Sequence, residues 1–68
     1  MTWQHGPQLR QYTLTVDTYQ ALVWHQAAGQ WAAIISHEGT AINSDTFETL
    51  MDAQMWCEGR LAKLQAKL

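Results

Sequence analysis

The chain has 68 residues, a formal net charge of -2 and 47% hydrophobic residues, including four tryptophans. A chain of this length forms one small domain that buries only about 60% of the surface exposed by its unfolded state. The core of such a domain provides only marginal stability. Its four basic residues are few for a surface that captures nucleic acid through phosphate charge. One cysteine excludes an internal disulfide and a cysteine-based zinc site. We expect a folded cytoplasmic domain, because no apolar run approaches the roughly 18 residues of a membrane span and the first residues do not resemble a signal peptide.

The first nine residues show no alternation of polar and apolar side chains and contain Gly6 and Pro7. We interpret residues 1–9 as an N-terminal arm that is ordered only where Trp3 finds a pocket. Residues 10–68 then form a single small α+β domain.

Four β-strands are predicted after the arm, at residues 11–16, 19–26, 31–37 and 40–47. The first alternates strictly, with Tyr12, Leu14 and Val16 on one face, as in a half-buried strand. The second and third are apolar on both faces, which is typical of central strands. The fourth is polar and rich in turn-forming residues, which suits an edge strand that should not recruit other chains.

The C-terminal segment is the only one whose apolar residues recur with a helical period. The residues of this stripe are Phe47, Leu50, Ala53, Cys57, Leu61, Leu64 and Leu68, with Gln54 as a polar member whose role the pattern does not assign. Asp45 and Thr49 are competing N-caps, each with a carboxylate three residues later. We favour Thr49, which predicts a helix over residues 50–67 and leaves the preceding strand intact.

The element order ββββα predicts a four-stranded antiparallel β-meander packed on one C-terminal α-helix. If the second hairpin turns at Ala28 and Gly29, Trp24 pairs with Ala33 and shares a face with Trp31. One helix covers one sheet face, yet both central strands are apolar on both faces. We therefore expect a homodimer, formed by the uncovered sheet face or by the Trp56 side of the helix, since Trp56 lies off the core stripe.

Aromatic side chains are the candidate contacts for a protein partner. The candidate interaction residues are Trp56, Trp24, Trp31, Tyr19 and Trp3. Met51 and Met55 are expected to pack against the flank of the sheet.

No catalytic, cofactor or metal site is predicted. The three histidines, His5, His25 and His37, do not have the spacing of metal ligands. Cys57 lies on the core stripe of the helix, where a thiol acts as a small hydrophobic residue with a raised pKa. The carboxylate pairs of the helix need a cleft before they can act as acid and base, and one helix on one sheet offers little concavity.

A local pattern resembles that of small uncharacterised bacterial and phage proteins. The run Gly29-Gln30-Trp31-Ala32-Ala33-Ile34-Ile35 is followed by Gly39 and then by Phe47-Glu48-Thr49-Leu50-Met51-Asp52-Ala53. In those proteins a tryptophan-containing strand, a glycine turn and a short strand precede a helix that opens with Thr or Ser, Leu and an acidic pair. The resemblance implies the ββββα layout and the Thr49 cap, and a phage or mobile-element origin belongs to the first function hypothesis below. It implies no activity, and Met51 replaces the first acidic residue.

Two functions remain as hypotheses. The first is a homodimeric protein-interaction module without catalysis, whose protein partner the sequence does not identify. The alternative is a protein that binds single-stranded nucleic acid through aromatic residues on the sheet, although only Arg10 among the cations lies near the strands.

Overall fold

The fold is an antiparallel β-sheet with one α-helix laid across one of its faces. The structure is a computed structural model that describes residues 3–6, 10–27 and 29–66. The elements are β1 (Gln4–His5), β2 (Gln11–Val16), β3 (Tyr19–Ala27), β4 (Gln30–His37), β5 (Thr40–Phe47) and α1 (Leu50–Ala66). The strands lie side by side in the order β1-β2-β3-β4-β5, and every neighbouring pair is antiparallel.

The α+β class and the C-terminal helix are confirmed, whereas the predicted number of strands is wrong because the sheet has five. The additional strand, β1, comes from the N-terminal arm and pairs His5 with Tyr12. Two residues are too short to show an alternating pattern, so the sequence offered no periodic signal there. The other arm residues 1–2 and 7–9 lie outside the described part of the chain, as do Ala28 and the predicted helix end at Lys67.

Short turns connect the long strands. Between β4 and β5, Glu38 and Gly39 both have positive φ, at 53° and 86°, as a type I′ hairpin turn requires. Between β2 and β3, Asp17 has φ 54°, a conformation that Asp tolerates better than most residues. These tight turns fix which residues face each other on the neighbouring strands.

The pairing of β3 with β4 differs by one residue from the prediction. Next to the turn, Ala27 pairs with Gln30, but a bulge then shifts the register so that His25 pairs with Trp31 and Trp24 with Ala32. A shift of one residue changes which side chains share a face. The expectation that Trp24 and Trp31 share a face is therefore wrong, and Trp31 lies on the side of the sheet that α1 covers.

The start of α1 confirms the favoured cap. The backbone N–H of Asp52 donates to Thr49 Oγ1 at 3.1 Å, and the N–H of Ala53 donates to the Thr49 carbonyl at 3.2 Å. The competing cap, Asp45, lies within β5 and accepts a bond from the Thr46 N–H at 2.8 Å instead. The helix thus begins directly after the edge strand, which places it across the sheet.

The core lies between α1 and the sheet. Its buried members are Leu14, Ala21, Val23, Ala33, Ile35, Ala53, Cys57 and Leu61. Several are alanines, which let the helix approach the strands closely but contribute little apolar area. None of the helices in the described residues is long and apolar enough to cross a membrane.

Candidate interaction surfaces

The sheet face opposite α1, which we call the open face, is defined by residues paired across the strands. Its rows are Gln4, Thr13, Leu22, Ile34 and Ser44; then Gln11, Trp24, Ala32 and Thr46; then Thr15, Gln20, Ser36 and Ala41. The helix contacts β3, β4 and β5 on the other side. Nothing in the described chain covers the open face.

The centre of the open face is apolar. Leu22 and Ile34 pair across β3 and β4, and Trp24 pairs with Ala32 beside them. Leu22, Trp24 and Ile34 are half-buried by their neighbours and do not belong to the core beneath α1. This apolar centre explains why β3 and β4 are hydrophobic on both faces, because each strand contributes to two separate clusters.

The open face is also uncharged. At its described positions the rim is made of Gln, Thr, Ser and Ala, and no Asp, Glu, Lys or Arg is present. The acidic residues near the sheet lie elsewhere: Asp17 and Glu38 are in turns, and Asp45 pairs with Ala33 on the helix side. Depletion of charge around an apolar centre distinguishes the core of a protein interface from ordinary surface.

The outer side of α1 has a second unusual surface. Met51 and Met55 are 69% and 62% exposed, so the expectation that they pack against the sheet is wrong. Beside Met55 lies a depression of about 280 Å³ lined by Met55, Trp56, Gly59, Arg60 and Lys63, which we call the helix depression. Gly59 helps to form it, because no atom lies within 4 Å of the position where a Cβ would be.

The helix depression combines apolar and cationic groups. The Arg60 guanidinium carbon lies 5.6 Å from the centre of the Trp56 ring, a cation–π geometry. Trp56 itself is half-buried and its ring lies 5.5 Å from that of Phe47 in β5. Trp56 therefore seals the edge of the core with one part of its ring and contributes to the depression with another.

The remaining predicted interaction residues lie on the helix side of the sheet. Trp31 packs against the core and lies 4.9 Å from His25, and Tyr19 stacks on His37 with 4.3 Å between ring centres. Trp3 is half-buried against the core. Of the five predicted residues, the structure leaves Trp24 on the open face and Trp56 at the helix depression.

Trp3 ties the start of the chain to the helix. Its indole Nε1–H donates to Glu58 Oε2 at 2.9 Å, a bond between residues 55 positions apart. The arm was expected to be ordered only where Trp3 finds a pocket, and Trp3 packs against the core beside α1. Together with the pairing of His5 with Tyr12, this contact fixes the start of the chain next to β2.

Cys57 is a buried thiol, as the helical stripe predicted. Burial, with a smaller effect of the Glu58 charge, raises the pKa of Cys57 from 9.0 to about 12. The protonated thiol is a poor nucleophile near neutral pH. In the described part of the chain, no three His, Cys, Asp or Glu residues are grouped so that they could hold a metal ion.

Sequence reasoning missed two parts of these surfaces. Leu22 and Ile34 form the centre of the open face, and the signal for them was the apolar pattern on both sides of β3 and β4. The helix depression was missed although Gly59 interrupts an otherwise good helical sequence next to Met55. A glycine inside a helix lowers the stability of the helix. Glycine at such a position therefore indicates a surface on which the space of a side chain is left open.

Comparisons of the chain with protein-family models, curated proteins and solved structures each found no match. The similarity to small bacterial and phage proteins therefore stays a resemblance of pattern.

Proposed function

We propose that the protein is a homodimeric protein-interaction module without catalysis, acting in the cytoplasm, whose two copies join through the open face. The observation that supports this proposal is an uncovered sheet face with an apolar centre and no charged residue at its described positions. Two such faces can meet without burying an unpaired charge and without repulsion between like charges. The dimer would be a sandwich of two sheets about 10 Å apart, with the helices outside.

The size of the open face suits a reversible dimer. Strand and residue spacings of about 4.8 and 3.3 Å give β2 to β5 a face of roughly 20 Å by 20 Å, or about 400 Å² in projection. Two such faces amount to about 800 Å² in projection. Protruding side chains make the accessible area larger than the projection, so the buried total is on the order of 1,000 Å², near the lower limit for specific complexes. We expect a dissociation constant on the order of micromolar rather than nanomolar.

A second copy would also compensate for the small hydrophobic core of the single chain. Burial of apolar surface contributes about 25 cal/mol per Å², and the side chains of Leu22, Trp24 and Ile34 obtain only part of this in a single chain because they remain partly exposed. The core under α1 is rich in alanine, which limits its own contribution. Dimerisation would add apolar burial on the face that α1 leaves open.

Binding of single-stranded nucleic acid has less support. Trp24 is the single aromatic residue at the described open-face positions, and a stacking platform commonly presents several. No cation lies at these positions to follow a phosphate backbone. Salt-sensitive binding of an oligonucleotide, lost in Trp24→Ala, would nevertheless favour this alternative over the dimer.

The dimer is tested by sedimentation equilibrium of the wild type, Ile34→Lys and Thr18→Lys over a range of protein concentrations. Ile34→Lys places an ammonium group in the centre of the open face. Thr18→Lys adds the same charge at an exposed turn position between β2 and β3, and serves as the matched control. Circular dichroism at low concentration verifies that all three are folded.

We expect wild type and Thr18→Lys to approach twice the chain mass at high concentration, while Ile34→Lys remains folded with the mass of one chain. Ile34→Thr, which keeps the branched Cβ but removes apolar area, should dimerise more weakly than wild type. A wild type that stays at the mass of one chain at millimolar concentration would refute the proposal. So would an Ile34→Lys variant that is folded and as dimeric as the control.

A further inference from the structure

We infer that the helix depression binds an acidic amphipathic helix of a different protein. This inference rests on the proposed role of the protein as a protein-interaction module and names the class of partner that the module takes. The site comprises Met55, Trp56, Gly59, Arg60 and Lys63, with Met51 one turn before Met55.

The apolar part of the partner follows from the two methionines. The described residues include three exposed large hydrophobic side chains, Ile42, Met51 and Met55, and two of them lie on this helix. Methionine side chains are flexible and polarisable, and adapt to the apolar face of a bound helix. The space of about 280 Å³ left beside Gly59 suits one or two side chains of a partner rather than a whole small molecule.

The acidic part of the partner follows from the charged residues that line the helix depression. Arg60 and Lys63 line the depression, and no carboxylate lines it. Asp52 precedes Trp56 by one helical turn but is not among the residues that line the depression. The described part of the chain contains three basic residues, and two are concentrated here although the whole chain is acidic. A helix that pairs an apolar stripe with glutamate or aspartate is the complementary ligand.

The charge of the lining argues against a second copy at this site. Two copies joined through their helix depressions would bring Arg60 and Lys63 of one copy close to the same residues of the other, and like charges repel. The open face is on the side of the sheet that α1 does not cover, so a dimer formed there leaves both helix depressions available to another protein.

The test uses two fluorescent peptides of about 16 residues, each helical with leucine at every third or fourth position. One has glutamate and the other has lysine at about four of the remaining positions, and alanine and glutamine occupy the others so that both peptides form helices. Anisotropy titrations compare wild type, Gly59→Gln and the double variant Arg60→Glu/Lys63→Glu. Gly59→Gln fills the depression but improves helix propensity, so weaker binding by this variant is not explained by unfolding.

We expect wild type to bind the glutamate peptide at least tenfold more tightly than the lysine peptide. Gly59→Gln should lower the affinity for the glutamate peptide at least tenfold. The double variant should bind the lysine peptide more tightly than the glutamate peptide. Ile34→Lys should bind as wild type does per chain, so that failure of the dimer and failure of peptide binding are separate results.

Equal affinity for the two peptides would overturn the inference, as would a Gly59→Gln variant that binds like wild type. A wild type whose mass rises beyond the dimer, and returns to the dimer in Met55→Glu, would show that the helix depression takes another copy of the chain. That result would also overturn the inference. A monomeric wild type that discriminates between the peptides would support it while refuting the open-face dimer.

Discussion

Two glycines give opposite predictions for the same substitution. Gly59 lies inside α1, whereas Gly39 lies in the β4–β5 turn with φ 86°. A Cβ added at either position meets nothing within 4 Å, so packing contributes equally little to both changes. Gly59→Ala gains helix propensity and should raise the free energy of unfolding by about 0.5–1 kcal/mol. Gly39→Ala forces a residue with a side chain into the left-handed backbone region and should lower the free energy of unfolding by about 1–2 kcal/mol.

The measurement is urea unfolding followed by circular dichroism, with thermal melts as a second probe. All samples need one protein concentration, because dimerisation makes apparent stability depend on concentration. For a domain of this size, about 1 kcal/mol corresponds to a shift of roughly 4–8 °C in Tm. Shifts of the same sign in the two variants would refute the reasoning, since it attributes the difference to backbone conformation alone.

Three further predictions concern contacts around α1. Thr49→Ala removes the oxygen that accepts from the Asp52 N–H and should cost about 1 kcal/mol of unfolding free energy, while Thr49→Ser should cost much less. Glu58→Ala removes the acceptor of the Trp3 indole N–H and should lower the free energy of unfolding by about 1 kcal/mol. In a chain that already carries Trp3→Ala, the same change should lower it very little, as a double-mutant cycle will show. Burial raises the pKa of Cys57 to about 12, so the folded state retains its proton as the unfolded thiol loses one above pH 9. Unfolding free energy should therefore fall between about pH 9 and 12 more steeply in wild type than in Cys57→Ala; parallel pH profiles would contradict this.

Much of the fold follows from local patterns. The strict alternation of residues 11–16 predicted β2, and the helical stripe with Thr49 as its cap predicted where α1 begins. These predictions succeeded because each depends on neighbours within one element. The buried Cys57 succeeded for the same reason, since its position on the stripe fixes which way it points.

The predictions that failed depend on contacts between elements. A bulge near Gln26 shifted the pairing of β3 and β4, and nothing in the composition of that segment marks the extra residue. This one shift placed Trp31 under the helix and made Ile34 a neighbour of Leu22 on the open face. β1 was missed because its two residues show no alternating pattern, and what holds them is their pairing with β2 and the distant contact of Trp3 with Glu58.

The candidate surfaces were predictable only in outline. Two strands that are apolar on both faces indicate an uncovered cluster, but its members depend on the register. The exposed Met51 and Met55 lie on the outer side of α1 because their helical positions fall well away from the stripe of the buried Ala53, Cys57 and Leu61. A periodic pattern ranks residues for burial without measuring how much space the partner surface offers.

The central claim is that the open face joins two copies, and an isotope-filtered NOE experiment on a mixture of labelled and unlabelled chains tests it most directly. Only contacts between copies give cross-peaks in this experiment. The account predicts cross-peaks from the Trp24 indole to methyl groups of Leu22 and Ile34 in the other copy. Cross-peaks from the Met51 and Met55 methyl groups instead, with none from Trp24, would contradict it.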